Sequence, residues 1–192
     1  MAKRNLLDQF SAQITILGSF ITLMWGLEIL DAVIFRNKLD EFGIRPRSLS
    51  GLAGILLSPF LHGGFRHLIA NTVPFVTLGW LVMLRRIQDF WEVTIVTLII
   101  SGFGVWLLGA PTSIHLGASG LVFGYFGFLL TRGYFDRRLD SIALGLLVLA
   151  LYGGLIWGIA PWQQGVSWEG HLFGLLGGGL AAWLLTGDDT PN

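Results

Sequence analysis

Two short motifs that lie far apart in the chain carry the residue types of nucleophilic catalysis. Ser119 lies in the run Gly117-Ala118-Ser119-Gly120, and His171 begins the run His171-Leu172-Phe173-Gly174. A serine hydroxyl becomes a nucleophile when a general base such as an imidazole lies within hydrogen-bonding reach. The two motifs therefore predict a nucleophile and its base, provided that the fold brings them together.

The surroundings of Ser119 suit attack on a carbonyl carbon. Gly117 and Gly120 leave room on either side of the hydroxyl. The first turn of a helix also leaves backbone N–H groups unpaired, and these can stabilise an oxyanion. The alternative is that this run of small residues is a helix contact of the kind common in membranes.

Glycine faces predict that the two motifs meet. Gly174 and Gly178 follow His171 on its own helix face, while Gly120 and Gly124 share a face of the segment that follows the serine. Helices lined with glycine approach closely, so packing these faces would bring the hydroxyl against the imidazole. The alternative for His171 is a structural hydrogen bond at the start of its helix.

The residues near Ser119 and His171 in sequence give weaker indications of a catalytic role. His115 is a rival base close to Ser119 in sequence, but its place in a loop favours a structural role. Glu169 lies two residues before His171, and such a pair does not share a helix face, so we expect a dyad without a carboxylate. Phe123, one turn after the serine, is a candidate to stack on the imidazole, with plain core packing as the alternative.

A third group of polar residues lies between His62 and Asn71. His67 and Asn71 share one helix face, where they can donate to an oxyanion beside the backbone N–H of Ser119. Interhelical hydrogen bonding is an equally good interpretation, because an amide in lipid needs a partner. The spacing between His62 and His67, with no third ligand, argues against zinc, so we expect no metal and no cofactor.

The composition places these residues in a membrane. Of 192 residues, 53% are hydrophobic and 12% are charged, which is about half the charge of a soluble domain. Since one span takes about 20 apolar residues, we predict an all-α polytopic membrane protein with a six-helix bundle in one domain over residues 1–192. The predicted spans cover about 14–35, 65–84, 91–110, 119–134, 142–159 and 169–185, the first of them uncleaved. A net charge of zero and the lack of cysteine argue against a nucleic-acid partner and a disulfide framework.

The basic residues predict the orientation, because cytoplasmic loops are enriched in Lys and Arg. With both termini in the cytoplasm, the inner side collects Lys3, Arg4, Arg85, Arg86, Arg132, Arg137 and Arg138. The outer side holds Arg36, Lys38, Arg45, Arg47 and Arg66. These lie in or beside an interfacial loop at about 36–64, whose apolar stretch at 49–57 is too short to span and is expected to be interfacial or re-entrant. Ser119 and His171 then lie at similar depth below the outer surface of the plasma or inner membrane.

The motifs resemble, in this order, those of the rhomboid family of intramembrane serine proteases. The similarity covers nearly the whole chain. Three motifs carry it: His62, His67 and Asn71 for the family's His-x4-His-x3-Asn, Gly117 to Gly120 for its Gly-x-Ser-Gly, and His171 with Gly174 and Gly178 for its base motif.

The resemblance implies a six-helix bundle around a water-filled cavity that opens to the outside. Ser119 would attack and His171 would act as base, with the oxyanion held by His67, Asn71 and the serine backbone. The outer-loop His62 would belong to the same site. Substrates would be single-pass or polytopic membrane proteins, cut within the lipid bilayer.

The resemblance also implies a gate, formed by the fifth span and the loop at 160–167. Two departures from the family stand out. Many members have a Trp-Arg pair in the first outer loop, where this chain has Arg45-Pro46-Arg47, and the position of Phe123 is often Tyr. The alternative from another class is a non-proteolytic membrane scaffold or a small-solute channel. The oligomeric state is left open.

Overall fold

The fold is a bundle of helices, described here from a computed structural model. The structure describes residues 6–163 and 165–187; Lys3, Arg4 and both termini, used above for orientation, lie outside them. Over the described residues there are seven α-helices and no β-strand, which confirms the all-α prediction. The helices are α1 (Leu6–Leu30), α2 (Ala53–Leu57), α3 (Phe65–Val82), α4 (Ile87–Leu108), α5 (Ser119–Asp136), α6 (Leu139–Tyr152) and α7 (Trp168–Leu184).

The six long helices fall on the six predicted spans, with differences at their ends. α1 begins ahead of the predicted start at about 14 and continues through a π-helical turn, Asp31–Phe35. α6 stops at Tyr152, and the predicted fifth span is completed by a 3-10 segment, Gly153–Ile159. Three described stretches, Leu6–Phe35, Ile87–Leu108 and Leu139–Ile159, are long and apolar enough to cross a membrane. The count of six is not exact by this measure, because α3, α5 and α7 are shorter or less apolar than these three stretches.

α5 is the central helix, since every residue from Leu121 to Leu129 is buried. Gly174 and Gly178 of α7 lie so close to α5 that a Cβ on either would overlap the backbone oxygen of Gly120 or Gly124, respectively. The sequence suggested that the glycine faces of the two helices pack directly against each other, and the structure differs from this. Gly120 and Gly124 instead make room for side chains of α4, so glycine lets three helices approach.

Ion pairs lie at the end of the bundle where α3, α5 and α7 end. This is called the opposite end, because Ser119 lies at the other end, where α5 begins. Asp89, with a side chain that is 0% exposed, accepts from Arg86 at 2.7 Å and from Arg132. Asp136 accepts from Arg85 at 2.9 Å. These contacts join the α3–α4 turn to α5, and buried pairs of this kind are strongly destabilising to break.

The connection from 36 to 64 is folded onto the bundle. Its apolar stretch forms a 3-10 turn (Leu49–Leu52), α2 and a second 3-10 turn (Ser58–Phe60). Arg47 donates to the carbonyls of Leu107 and Gly109, both at 2.8 Å, and Trp106 donates to the Ser48 carbonyl at 2.9 Å. An arginine of the loop and a tryptophan of α4 therefore anchor the connection in the absence of an adjacent Trp-Arg pair.

Candidate active site

A cavity of about 720 Å³ opens at the site end of the bundle, where α3, α5 and α7 begin. Five of the predicted site residues line it: Ser119, His171, His67, Asn71 and Phe123. Three separate helices supply these side chains. The fold thus brings together the motifs that are far apart in sequence.

Ser119 is the first residue of α5. The chain reaches it through Gly117, whose φ of +109° is a backbone conformation that L side chains rarely adopt. The Gly117 N–H donates to the Ser58 carbonyl at 2.8 Å, which fixes this turn against the connection. Because Ser119 begins the helix, its own N–H precedes the first intrahelical hydrogen bond and points toward the site end.

His171 is held on two sides. Its Nδ1 lies 2.8 Å from the carbonyl oxygen of Gly158, and its ring stacks on Phe123 with centroids 4.1 Å apart and planes 7° apart. The stacking expected for Phe123 is observed. Among the described residues no direct hydrogen bond joins the Ser119 hydroxyl to the imidazole. Catalytic contacts are often long in unliganded sites and tighten on binding.

His67 and Asn71 lie beside the turn that leads to Ser119. A Cβ built on Gly117 would be 2.7 Å from Nε2 of His67 and 3.4 Å from Nδ2 of Asn71. Asn71 donates to the His67 carbonyl at 3.2 Å, one turn back along α3. The two side chains and the Ser119 N–H therefore border the same part of the cavity, and only a glycine at 117 leaves them that space.

His62 lies behind the cavity and does not line it. Its side chain is almost fully buried, and its Nε2 accepts the Ala118 N–H at 3.4 Å. Burial, helped by the neighbouring His67, lowers the pKa of His62 to about 4, so His62 is neutral at pH 7. It supports the turn before Ser119 as a neutral acceptor.

His115, the rival base, is occupied elsewhere. Its Nδ1 and Nε2 each lie 2.6 Å from a serine hydroxyl, those of Ser167 and Ser113 respectively. Burial lowers the pKa of His115, and the nearby carboxylate of Glu169 partly offsets this. Since Ser167 directly precedes α7, His115 ties the loop before Ser119 to the helix of His171, which agrees with the structural role expected for it.

Sequence reasoning missed three groups near the site. Ser167 bonds to His115, Ser101 of α4 donates to the Gly170 carbonyl at 2.8 Å, and the Gly158 carbonyl contacts His171. A serine just before a helix is a recognisable start signal. The other two leave no signal, because one is an isolated serine in an apolar helix and the other is a backbone atom. No metal-binding group of three His, Cys, Asp or Glu occurs in the described part of the chain.

The fold and the site define an integral membrane protein of helical type with a serine and a histidine at one cavity. The family model described as Rhomboid domain matches residues 50–188, which is more than half of the chain. The chain therefore belongs to the rhomboid family.

Three relatives are similar to much of this chain, and two of them carry rhomboid names. An uncharacterized protein of Mycobacterium tuberculosis is 41% identical over 90% of this chain and 75% of its own length. A Bacillus subtilis protein named "Putative rhomboid protease YdcA" is 27% identical over 88% of this chain and 84% of its own. RHOMBOID-like protein 4 of Arabidopsis thaliana is 31% identical over 68% of this chain and 33% of its own.

Proposed function

We propose that the protein is an intramembrane serine endopeptidase that cleaves transmembrane segments of other membrane proteins. The observation that carries the proposal is the shared cavity, in which a serine at a helix start and an imidazole held on two sides come from separate helices. Membership of the rhomboid family supports the same reaction. Ser119 is the proposed nucleophile and His171 the proposed general base.

The reaction follows the ordinary course of serine hydrolysis. The Ser119 Oγ attacks the substrate carbonyl carbon while His171 Nε2 takes the hydroxyl proton. The same nitrogen then gives this proton to the leaving amine, which produces an acyl-enzyme. Water from the cavity attacks the ester in a second round, with His171 again as base, and frees Ser119.

The developing oxyanion needs donors in fixed positions. The Ser119 N–H is one, and His67 and Asn71, beside Gly117, supply the side-chain donors. His171 and Phe123 line the same cavity. A substrate helix hides its peptide groups in its own hydrogen bonds, so it must unwind locally, and helix-weakening residues near the cut are expected.

The same proposal fixes the placement of the protein. The cavity would open to the outer side of the plasma or inner membrane, with the arginines of the opposite end facing the cytoplasm. The described core further along α5 is filled by Tyr125, Phe126 and Phe128, all completely or nearly completely buried. Aromatic packing at this depth favours a protease with a blind cavity over a channel.

The test uses a fluorophosphonate probe and a single-pass model substrate in detergent and in liposomes. We expect wild-type protein to be labelled and to cleave, and Ser119→Ala to lose both, with cleavage down by about 10⁴-fold or more. His171→Ala should lose cleavage as well, whereas His115→Ala should keep it. Normal cleavage by a folded Ser119→Ala variant would overturn the proposal and favour a scaffold.

A further inference from the structure

The hydrogen bond between Gly158 and His171 decides where the imidazole carries its proton. A carbonyl oxygen only accepts hydrogen bonds, so at 2.8 Å the Nδ1 atom must be the donor. In a neutral imidazole the other nitrogen, Nε2, then has the lone pair. Among the described residues Nε2 has no hydrogen-bond partner of its own, and it is the atom that must take the Ser119 proton.

The chain after α6 is built to present this carbonyl. The segment Gly153–Ile159 is a 3-10 helix, in which each carbonyl normally bonds to the N–H three residues on. The residue three positions after Gly158 is Pro161, which has no N–H to offer. The Gly158 oxygen is therefore left for an outside donor, and within the described part of the chain that donor is His171.

Close packing explains why residue 158 is a glycine. A Cβ built there would lie 2.9 Å from Cζ of Phe123 and 3.0 Å from Nδ1 of His171. Any side chain would push the segment away from the stacked rings. Gly154, one turn earlier in the same segment, has open space around it, because a Cβ there meets nothing within 4 Å.

We propose that Gly158 is a positioning residue of the dyad, whose carbonyl takes the part that a carboxylate takes in Ser-His-Asp triads. This inference rests on the proposed function. The Gly158 oxygen holds His171 in the tautomer with Nε2 free, and it keeps its bond to the Nδ1 proton when Nε2 becomes protonated during attack. Only the proton on Nε2 moves, from Ser119 to the leaving amine, so the step balances without a third ionisable group.

The experiment compares Gly158→Ala with its matched control Gly154→Ala. Both add one methyl group to the same 3-10 segment, but only the first presses on the imidazole. We expect Gly158→Ala to lower kcat by about 10- to 100-fold with little change in KM, as for other groups that orient a reactive ligand. Gly154→Ala should stay within about twofold of wild type. Equal losses in the two variants would overturn the assignment.

A second variant keeps Gly158 and adds a backbone N–H that competes with His171 for the Gly158 carbonyl. Pro161→Ala supplies an N–H three residues after the Gly158 carbonyl, which can then close a 3-10 bond and release His171. A loss of kcat in the same direction, smaller than that of Gly158→Ala, is expected. Wild-type kcat in both folded variants would overturn the proposal. If Gly158→Ala does not fold, Pro161→Ala and the next measurement decide.

The ¹⁵N chemical shifts of the His171 ring report the tautomer directly, which a merely structural role would not change. We expect the proton on Nδ1 in wild type and in Ser119→Ala, and a mixture of tautomers in Gly158→Ala. A wild-type ring protonated at Nε2 would overturn the assignment even if cleavage depends on Ser119. Cleavage independent of Ser119 would instead overturn the proposed function while leaving the tautomer result intact.

Discussion

Polar side chains collect at both ends of the bundle, but the two ends use them differently. At the opposite end, the fully buried carboxylate of Asp89 contacts two arginines, and Asp136 joins a third. At the site end the described lining of the open cavity has one carboxylate, that of Glu169, and no Lys or Arg beside it. The Ser119 hydroxyl has no hydrogen-bond partner among the described residues. Paired charges hold helices together, whereas polar groups without a hydrogen-bond partner remain free to bind a ligand.

The opposite end gives the largest expected effect on stability. Asp89→Ala leaves Arg86 and Arg132 without their shared buried carboxylate, so we expect the free energy of unfolding to fall by about 3–5 kcal/mol. Chemical unfolding in detergent micelles measures it. Asp140→Ala removes a partner of Arg138 in an exposed pair, where solvent screens the charges, and should change stability little.

Asp89→Ala should lower stability without lowering the cleavage activity of the folded protein. Cleavage per folded molecule should stay near wild type, because the pair lies at the far end of α5 from Ser119. A variant that remained as stable as wild type but no longer cleaved would show that the ion pairs serve the reaction rather than the fold.

The site end should show the reverse pattern. Asn71→Ala removes a proposed oxyanion donor, so we expect kcat to fall on the order of 10²-fold, with a much smaller change in stability than at Asp89. Initial rates with the model substrate measure it. The control is Thr72→Ala on the same helix, whose hydroxyl contacts Trp25 of α1 at 3.2 Å rather than the cavity.

A near-normal rate in folded Asn71→Ala, or an equal loss in Thr72→Ala, would contradict the assigned role. In the first case the amide would be an interhelical contact only, which is the interpretation that the sequence left open for it.

The smallest effect concerns a carboxylate in the connection at the site end. Burial, together with the nearby charge of Asp31, raises the pKa of Asp40 to about 6. The folded state therefore holds this proton more tightly than the unfolded chain does. This contribution to stability is complete below the ordinary value of 3.8 and is lost as pH rises to about 6.

Asp40→Asn should remove that dependence. Relative to wild type, the variant should gain in the free energy of unfolding between pH 4 and pH 7, by less than about 1 kcal/mol because solvent reaches this side chain. Parallel unfolding curves at the two pH values measure the difference. A constant offset between the two proteins would mean that Asp40 does not titrate in this window.

Much of this arrangement could be predicted from the sequence. The long helices follow from apolar runs. The close approach of α7 to α5 follows from Gly174 and Gly178, because backbone contact between helices requires small residues, although Gly120 and Gly124 serve α4 instead. Phe123 could be assigned to the imidazole since one helical turn separates it from the serine. These are local or periodic signals, which can be recognised in a single sequence.

Other features could not be predicted for a physical reason. The Gly158 carbonyl is a backbone group that every residue has, so no residue type marks it. The pairing of Asp89 with Arg132 depends on which helices are neighbours, and charge spacing along the chain does not reveal that. The 3-10 form of the segment after Tyr152 could have been suspected from Gly153, Gly154 and Pro161, but its contact with His171 could not.

The anchoring of the long connection has one more consequence. Arg47 and Trp106 join it to the end of α4, and Ile44 pairs through its backbone with His115, just before Ser119. The long connection, the end of α4 and the turn before Ser119 are thus joined to one another and should move together. Where lipid thickness does not match the protein, a bundle accommodates by tilting helices or deforming the bilayer. These joined parts would shift as a whole, and the height of the serine beneath its own rim would stay constant from one lipid composition to another.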